Sequence, residues 1–514
     1  MKKNTNPVCH TQILFSQHTT DSPCHTERSE VSHNTESKRD FSHSLKMTKG
    51  KQLKMTTAYK PSRIEWLGEI PQSWEIKKCK FFFIIQNTIV GDLWNKTKLL
   101  SLTLNGVVER DINNPEGKFP SDFSTYQLVK RGNLVFCLFD VEETPRAIGL
   151  SQIDGMITSA YTVIKVVNQN ERFLAYLFIS LDNGKNLSFL YRGLRKTISK
   201  EDLLNLKIPI PPLQEQKEIA EFLDSKCEKI QNYIDKKQKL ITLLQEKKQA
   251  LINEAVCGRV ACHTADSHCH TQALPPCHTE RSEVSTMESR FFANAQNDKG
   301  NISYKDSGIE YLGLIPHHWE VVKVKYIATT NIGLVYDPSE IATNENVGYP
   351  VLRANNIQNG KIDYKDVIYV AKKIDDKQLT ISGDLLMCVR NGSENLLGKT
   401  AKIENNNFSF GAFTAIIRSD LNNYLYWIFQ TEMLKKSISS FIVSIGIGQI
   451  SQDDIKNFKI PLPPLQEQKD IAAFLDSKVA QINSAIEKTK KQIELIKEYK
   501  NTLINEAICG RIDL

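Results

Sequence analysis

Lys207 to Lys226 reads KIPIPPLQEQKEIAEFLDSK, and Lys459 to Lys478 reads KIPLPPLQEQKDIAAFLDSK, identical at 17 of 20 positions across an offset of 252 residues. Both stretches open long segments without proline or glycine that run from Pro212 to Gly258 and from Pro464 to Gly510, where C-terminal helix stops belong. Positions 223, 227, 230, 234, 237, 241, 244, 248, 251 and 255 step by alternating three and four residues. They hold Leu, Cys, Ile, Ile, Lys, Ile, Leu, Lys, Leu and Ala, and the second copy holds Leu475, Val479, Ile482, Ile486, Thr489, Ile493, Ile496, Lys500, Leu503 and Ala507. That is an a/d heptad seam with polar breaks at matching places. Each helix is expected to be about 65 Å long at 1.5 Å per residue. Two seams in one chain predict mutual pairing; an amphipathic helix docked on its own domain is the simpler alternative.

The duplication extends outward from the tails. Ile64 to Lys80, IEWLGEIPQSWEIKKCK, returns as Ile309 to Lys325, IEYLGLIPHHWEVVKVK, and Leu251 to Arg259, LINEAVCGR, returns as Leu503 to Arg511, LINEAICGR. Each unit is thus a lead motif, a body of about 130 residues and a helical tail, the signature of an internal repeat. Within the tails identity is 17 of the first 20 residues and 8 of the last nine, yet only 8 of the 24 between. A seam alone constrains only seam positions, so the alikeness of Gln214, Glu215, Gln216 and Asn253 to their counterparts points to a common partner docking on both copies. Recent duplication or recombination is the alternative.

The bodies, 81–206 and 326–458, share spacing but little sequence. Val129 to Phe136, VKRGNLVF, aligns with Thr380 to Met387, TISGDLLM, and Thr158 to Ile164 aligns with Phe410 to Ile416. Runs such as LLSLTL, NLVFCLF, AYTVIKVV, YPVL and DLLMCV are short, β-branched or aromatic, and bounded by Gly, Asn or Asp, so strands are expected there. Phe173–Leu181 and Leu425–Lys436 are expected to be helices. Each body then becomes a mixed α+β domain with a curved sheet and long polar loops.

Composition excludes several classes. The 514 residues carry 40% hydrophobic and 24% charged side chains, the balance of globular domains. Apolar runs such as Phe81 to Ile85 are far short of the ~20 residues of a membrane span, and no apolar stretch follows Met1-Lys2-Lys3, so a cytoplasmic protein is expected. The net charge of +7 falls to about +5 once residues 1–54 and 260–300 are set aside, too mild to argue for nucleic acid by itself. Five of the eleven cysteines and five of the eleven histidines fall in a Cys-His-Thr tripeptide at Cys9, Cys24, Cys262, Cys269 and Cys277. Zinc-site spacing is missing. Instead Cys24 to Ser32, CHTERSEVS, recurs at Cys277 to Ser285, which resembles a translated bacterial interspersed repeat, with Met47 or Met55 as alternative starts and no metal site. The six scattered cysteines suit reduced thiols in a cytosol.

Catalytic signatures fail. Gly392 to Thr400, GSENLLGKT, has five residues between its glycines where a phosphate loop needs four. Gly446-Ile-Gly448 lacks a third glycine, no Asp/Asn-Pro-Pro-aromatic or Gly-x-Ser-x-Gly motif is present, and the bodies contain no histidine. No catalytic residue is expected, and the chain reads as a non-enzymatic reader or scaffold. Its candidate reading chemistry is Arg146, Arg192, Arg195 and Lys196 in the first body and Arg353, Asn355, Asn356, Arg390 and Asn391 in the second, beside glycines or strand ends. Arg forks pair with guanine and Asn with adenine in the major groove. Ordinary solvated loop residues are the plainer reading of any one of them.

The order of lead motif, variable body and PPLQEQK helix, seen twice over about 60–259 and 304–514, resembles the specificity subunit of type I restriction–modification systems. The resemblance implies two tandem target recognition domains, each reading one half of a bipartite site in double-stranded DNA, with their helices paired as an antiparallel coiled coil of pseudo-two-fold symmetry. It further implies two methyltransferase subunits and restriction/translocase subunits as partners. S-adenosylmethionine, ATP and Mg2+ would be used on those other subunits and no cofactor on this chain. Trp74, Trp319, Gln214, Glu215, Gln216, Gln466, Glu467 and Gln468 fall in the regions that family shares and are expected to serve partner binding. The expected organisation is a disordered leader 1–54, recognition domain 55–206, helix 207–260, disordered insert 261–303, recognition domain 304–458 and helix 459–514. The inserts at the start and at 261–300 are the departure from the family pattern. A coiled-coil scaffold that joins proteins without reading DNA is the alternative function.

Overall fold

The computed structural model describes residues 58–111 except 65, 122–260, 303–342 except 310 and 311, 347–391, 396–441 and 448–512. The expected leader and nearly all of the expected insert lie outside the described residues. In the first unit the lead motif ends in strand Glu75–Lys78, and α1 (Glu171–Asn183), the short α2 (Lys200–Asn205) and the tail α3 (Leu213–Val256) follow the body strands. In the second unit α4 (Asn422–Phe429), α5 (Glu432–Phe441) and α6 (Gln452–Asn457) precede the tail α7 (Leu465–Ile508).

The two bodies share a four-stranded frame. Strands run in the order Phe83–Gln86, Thr162–Val166, Leu134–Phe136, Ile148–Leu150 in the first, all antiparallel. The second repeats this order as Thr329–Ile332, Thr414–Arg418, Leu385–Cys388, Thr400–Lys402 and extends it with the hairpin Ile357–Gln358 and Lys361–Ile362. The aligned windows VKRGNLVF and TISGDLLM explain the shared start of the central strand. Gly132 and Gly383 turn at φ +86° and +95°, conformations open to glycine. Asn133 Oδ1 and Asp384 Oδ2 then accept the Lys130 and Ile381 backbone N–H, each at 2.8 Å, closing the same turn with different side chains.

One expected helix divides. Residues 425–436 fall across α4 and α5, because the Thr431 hydroxyl donates back to the Ile428 carbonyl at 2.7 Å and accepts the Leu434 N–H at 3.3 Å, capping a new start. In both units the lead strand pairs antiparallel with the strand before the tail, Glu75–Lys78 with Lys207–Ile210 and Glu320–Lys323 with Lys459–Leu462, in matching register (Lys78 opposite Lys207, Lys323 opposite Lys459). Each chain segment that opens a body is therefore fastened to the segment that leaves it.

The tails are single 44-residue helices. Ile219, Ala220, Leu223 and Cys227 at the start of α3 belong to the core of their own body, as Ile471, Ala472, Leu475 and Val479 of α7 do. Farther along, Ile230 and Ile234 pack with Ile493, and Lys248 Nζ donates to Asn483 Oδ1 at 3.1 Å. The far ends cross over: Ile504, Ala507, Ile508 and Cys509 complete the first core, and Ile252, Ala255, Val256 and Cys257 complete the second. Both sequence alternatives, docking on the parent domain and contact between tails, are realised in different stretches of the same helices. No described helix is long and apolar enough to cross a membrane.

Candidate nucleic-acid interface and the joints that hold it

Trp74 and Trp319 are buried in separate cores, each where one unit meets the tail end of the other. Trp74 Nε1 donates to Glu215 Oε1 at 2.7 Å and Trp319 Nε1 to Glu467 Oε2 at 2.9 Å, tying each lead motif to the first turn of its own tail. The Cζ2 edge of each indole, next to Nε1, meets the other tail. A Cβ on Gly510 would lie 2.5 Å from Pro71 and 2.9 Å from Trp74, and one on Gly258 would lie 2.5 Å from Pro316 and 2.9 Å from Trp319. Both glycines sit at φ near +70°, so conformation and space independently require glycine. Arg511 Nη2 reaches the Leu67 carbonyl at 3.4 Å and Arg259 Nη2 the Leu312 carbonyl at 3.5 Å.

These contacts give the identical tail ends a role inside the chain. Gln216 is fully buried, its amide donating to the Pro211 carbonyl at 2.8 Å and to Gln169 Oε1 at 2.6 Å, while its Oε1 accepts the Asn170 N–H at 2.9 Å. Gln468 is buried and donates to the Pro463 carbonyl at 2.7 Å. Asn253 Oδ1 accepts the Glu432 N–H at 3.3 Å, and Asn505 Oδ1 accepts the Ser180 hydroxyl at 3.3 Å, each across the units. Internal closure accounts for these identities without an external partner. Of the expected partner-binding set only Gln214 and Gln466 are openly exposed, bonded within their own helices to Glu218 and Asp470.

The candidate reading residues divide sharply. Arg146 is turned inward, 3.6 Å from the buried Asp182 carboxylate and 2.7 Å from Asn183 Oδ1, where it fixes the end of α1. Asn356 is buried, its Oδ1 accepting the Arg353 N–H and its amide donating to the Asp363 carbonyl, each at 2.8 Å. Arg353 reaches the Asp366 carbonyl at 3.2 Å, and Asn355 is exposed beside it. The structure makes Arg146 and Asn356 parts of the scaffold.

Arg192, Arg195 and Lys196 gather on one tight turn. Arg192 and Thr197 bond each other across it at 2.9 and 3.0 Å, and Gly193 and Lys196 adopt left-handed conformations. Arg192 pairs with Asp202 at 2.8 Å and Lys196 with Glu142 at 3.8 Å. Arg195 grips Asp140 with two contacts of 2.6 and 3.2 Å, lowering the Asp140 carboxyl pKa by hydrogen bonding and charge. The guanidinium also lies 5.5 Å from the centre of the Phe139 ring, which stacks on Tyr161 at 6.0 Å and 12°. In the second body Arg390 lies 5.3 Å from the ring centre of the exposed Phe413, just beyond the equivalent central strand, beside Asn391. Sequence reading missed Phe139, Tyr161 and Phe413. The signal was the aromatic pair in the windows aligned at Thr158 and Phe410. Planar cations laid on aromatic rings at strand ends suit contact with base edges and phosphates.

Among the described residues no group of three His, Cys, Asp or Glu is placed to hold a metal ion. A cleft of about 730 Å³ lies between the second body and both tails, with Lys248, Lys361, Lys399 and Lys402 around it. Burial lowers the Lys248 pKa.

Residues 156–245 and 316–495, just over half of the chain, match the model of the type I restriction modification DNA specificity domain. The chain is similar to the type I restriction enzyme EcoKI specificity subunit of Escherichia coli K12, 29% identical over 207 residues, or 39% of this chain and 44% of that protein. It therefore matches less than half the length of that relative. It is also similar to the MjaVIII specificity subunit of Methanocaldococcus jannaschii, 27% identical over 372 residues, or 70% of this chain and 74% of that one. In fold it is similar to a chain solved in a study of complex assembly in a type I restriction–modification system, with a TM-score of 0.59 and 16% identity over 86% of this chain and 99% of that one. With two specificity domains on a mixed helix and strand frame, the chain belongs to the specificity subunits of type I restriction–modification systems.

Proposed function

We propose that this chain is the non-catalytic DNA-reading subunit of a type I restriction–modification assembly. Each body reads one half of a bipartite site in double-stranded DNA, and the tails pair as an antiparallel coiled coil of pseudo-two-fold symmetry that fixes the distance between the halves. Two methyltransferase subunits dock on this frame and restriction/translocase subunits join them. S-adenosylmethionine, ATP and Mg2+ act on those subunits, which places the assembly in the cytoplasm with the DNA. The domain limits proposed from sequence, 55–206 and 304–458 for the bodies and 207–260 and 459–514 for the tails, follow the same division.

The observation that carries this reading is the crossed joint. Each tail begins on its own body and ends in the core of the other, so two exposed Arg–aromatic turns on unlike bodies are held at one separation by helices about 66 Å long. A stiff ruler between two readers is what a split site requires. Methylation-sensitive sequencing of the host genome tests it. Exchanging residues 326–458 for another body changes one half-site and leaves the other, whereas a change in both contradicts modular reading. Lengthening both tails by one heptad changes the spacer, and an unchanged spacer removes the ruler. Absence of any sequence-selective mobility shift by the assembled complex would favour the scaffold alternative.

A further inference from the structure

The strands that fasten each body to its tail bring like charges together. In the first unit Lys78 stands directly opposite Lys207, and in the second Lys323 stands directly opposite Lys459. Opposed cations on one face of an antiparallel pair repel, so the sheet is weaker for carrying them. Among the described residues no carboxylate pairs with any of the four, although neighbouring lysines do pair, Lys77 with Glu75 at 2.6 Å and Lys456 with Asp453 at 3.6 Å. Lys323 Nζ donates only to the neutral Asn457 Oδ1, at 3.3 Å.

A third lysine follows in each unit. Lys80 and Lys325 lie in the 3-10 turns Cys79–Phe81 and Val324–Tyr326 that continue the lead strands. Their ammoniums stand 5.6 and 5.1 Å from the ring centres of Phe81 and Tyr326, which are exposed at 67% and 73%. The repetition is selective. The lead motifs differ at seven of 17 positions, and Lys77 gives way to Val322, so its ion pair has no counterpart, yet both lysines and the exposed ring persist. Internal packing explains the shared tryptophans and buried glutamines. It does not explain cations that weaken the sheet bearing them.

We infer that each opposed pair, with the lysine that follows it, grips the backbone phosphates of double-stranded DNA beside its body without regard to base sequence. The inference rests on the proposed function and extends it, because there only the bodies touch DNA. A duplex carries about one negative charge per 1.7 Å of its axis, dense enough to face three ammoniums on one strand pair. A protein surface meeting them would have to crowd carboxylates at a similar cost to itself. Lysine suits the task as a flexible point charge that fixes position without reading bases. One grip where each body joins its tail holds both readers in register while the body loops vary.

The test uses the full chain assembled with its methyltransferase and duplexes with and without the target, at several salt concentrations. Lys78→Gln with Lys207→Gln is expected to weaken binding to both duplexes about tenfold and to flatten the slope of log affinity against log salt by about two. Lys323→Gln with Lys459→Gln is expected to do the same, Lys78→Arg with Lys207→Arg to keep the wild-type slope, and Lys77→Gln to change nothing. Base preference stays as it was, and the urea midpoint of the glutamine variants equals or exceeds that of the wild type because the repulsion is gone. An unchanged slope overturns the grip and leaves the proposed function standing. A lower urea midpoint overturns it in favour of a structural role, and a loss confined to the target duplex in favour of base reading. Loss of methyltransferase copies by native mass spectrometry overturns it in favour of a protein contact. A wild-type assembly that binds no DNA sinks both the grip and the proposed function.

Discussion

The two joints, lead motif against crossing tail end, match in their central contacts, whereas the two bodies they carry share a sheet order and little else. Trp74, Pro71 and Gly510 repeat as Trp319, Pro316 and Gly258 with the same close approaches, and both indoles find the same glutamate of PPLQEQK. Beyond the four shared strands the first body carries two two-stranded sheets, Leu100–Thr103 with Gly106–Glu109 and Gln127–Val129 with Gly155–Ile157, where the second carries a hairpin and the three-stranded sheet Ile368–Val370, Tyr349–Leu352 and Ser409–Phe410. The difference separates two demands. A closed joint admits one set of shapes, because each side chain is packed on both sides, while a sheet edge facing solvent accepts any loop that leaves the frame intact.

Substitutions at the joint should break this comparison most strongly. Trp74→Ala removes a fully buried indole and leaves Glu215 without its donor, and a loss of about 3–5 kcal/mol is expected from such a cavity; urea unfolding reads it. Trp319→Ala should cost about the same, and a much smaller loss at one of the two would show that the joints are not energetically alike. A body residue that serves the frame should behave like the joint, only less so. Arg146→Ala strips the buried Asp182 of one cation, although Lys185 at 2.8 Å and the Ala147 N–H at 2.9 Å remain on it. A loss of about 1–3 kcal/mol in stability is expected, with base preference unaltered. Arg195→Ala should reverse that pattern, leaving the melting temperature within a degree or two while target binding weakens in a salt-dependent way. Equal behaviour of the two arginines would erase the division between frame and reader. The smallest effect concerns Cys257 and Cys509, whose thiols burial pushes up to about 11. At pH 8 they hold almost no thiolate and should resist a disulfide reagent in the native chain, reacting only when the Trp74→Ala or Trp319→Ala variant loosens the joint.

Much of the frame was legible in the residues. The period of three and four, the paired prolines and the terminal glycines announced both tails, and helices of 44 residues formed between those marks. Strands formed in the runs LLSLTL, NLVFCLF and AYTVIKVV because β-branched and aromatic side chains between turn residues leave few other choices. The division of 425–436 was hidden because Thr431 caps α5 only once the Ile428 carbonyl is in reach. The candidate reading residues were the least legible. Arg146 and Arg195 are alike as letters, one facing a buried carboxylate and the other an exposed ring.

The repeat, its two tails and the absence of catalytic signatures are properties of order and spacing along the chain, and the sequence by itself determined them. Tertiary structure alone decided that each tail ends in the other unit's core, which turned the identical ends from a surface for partners into an internal lock. The physical reason is that identity between repeats records constraint without direction: a side chain held by its own fold and one held by a partner leave the same letters, and only burial tells them apart.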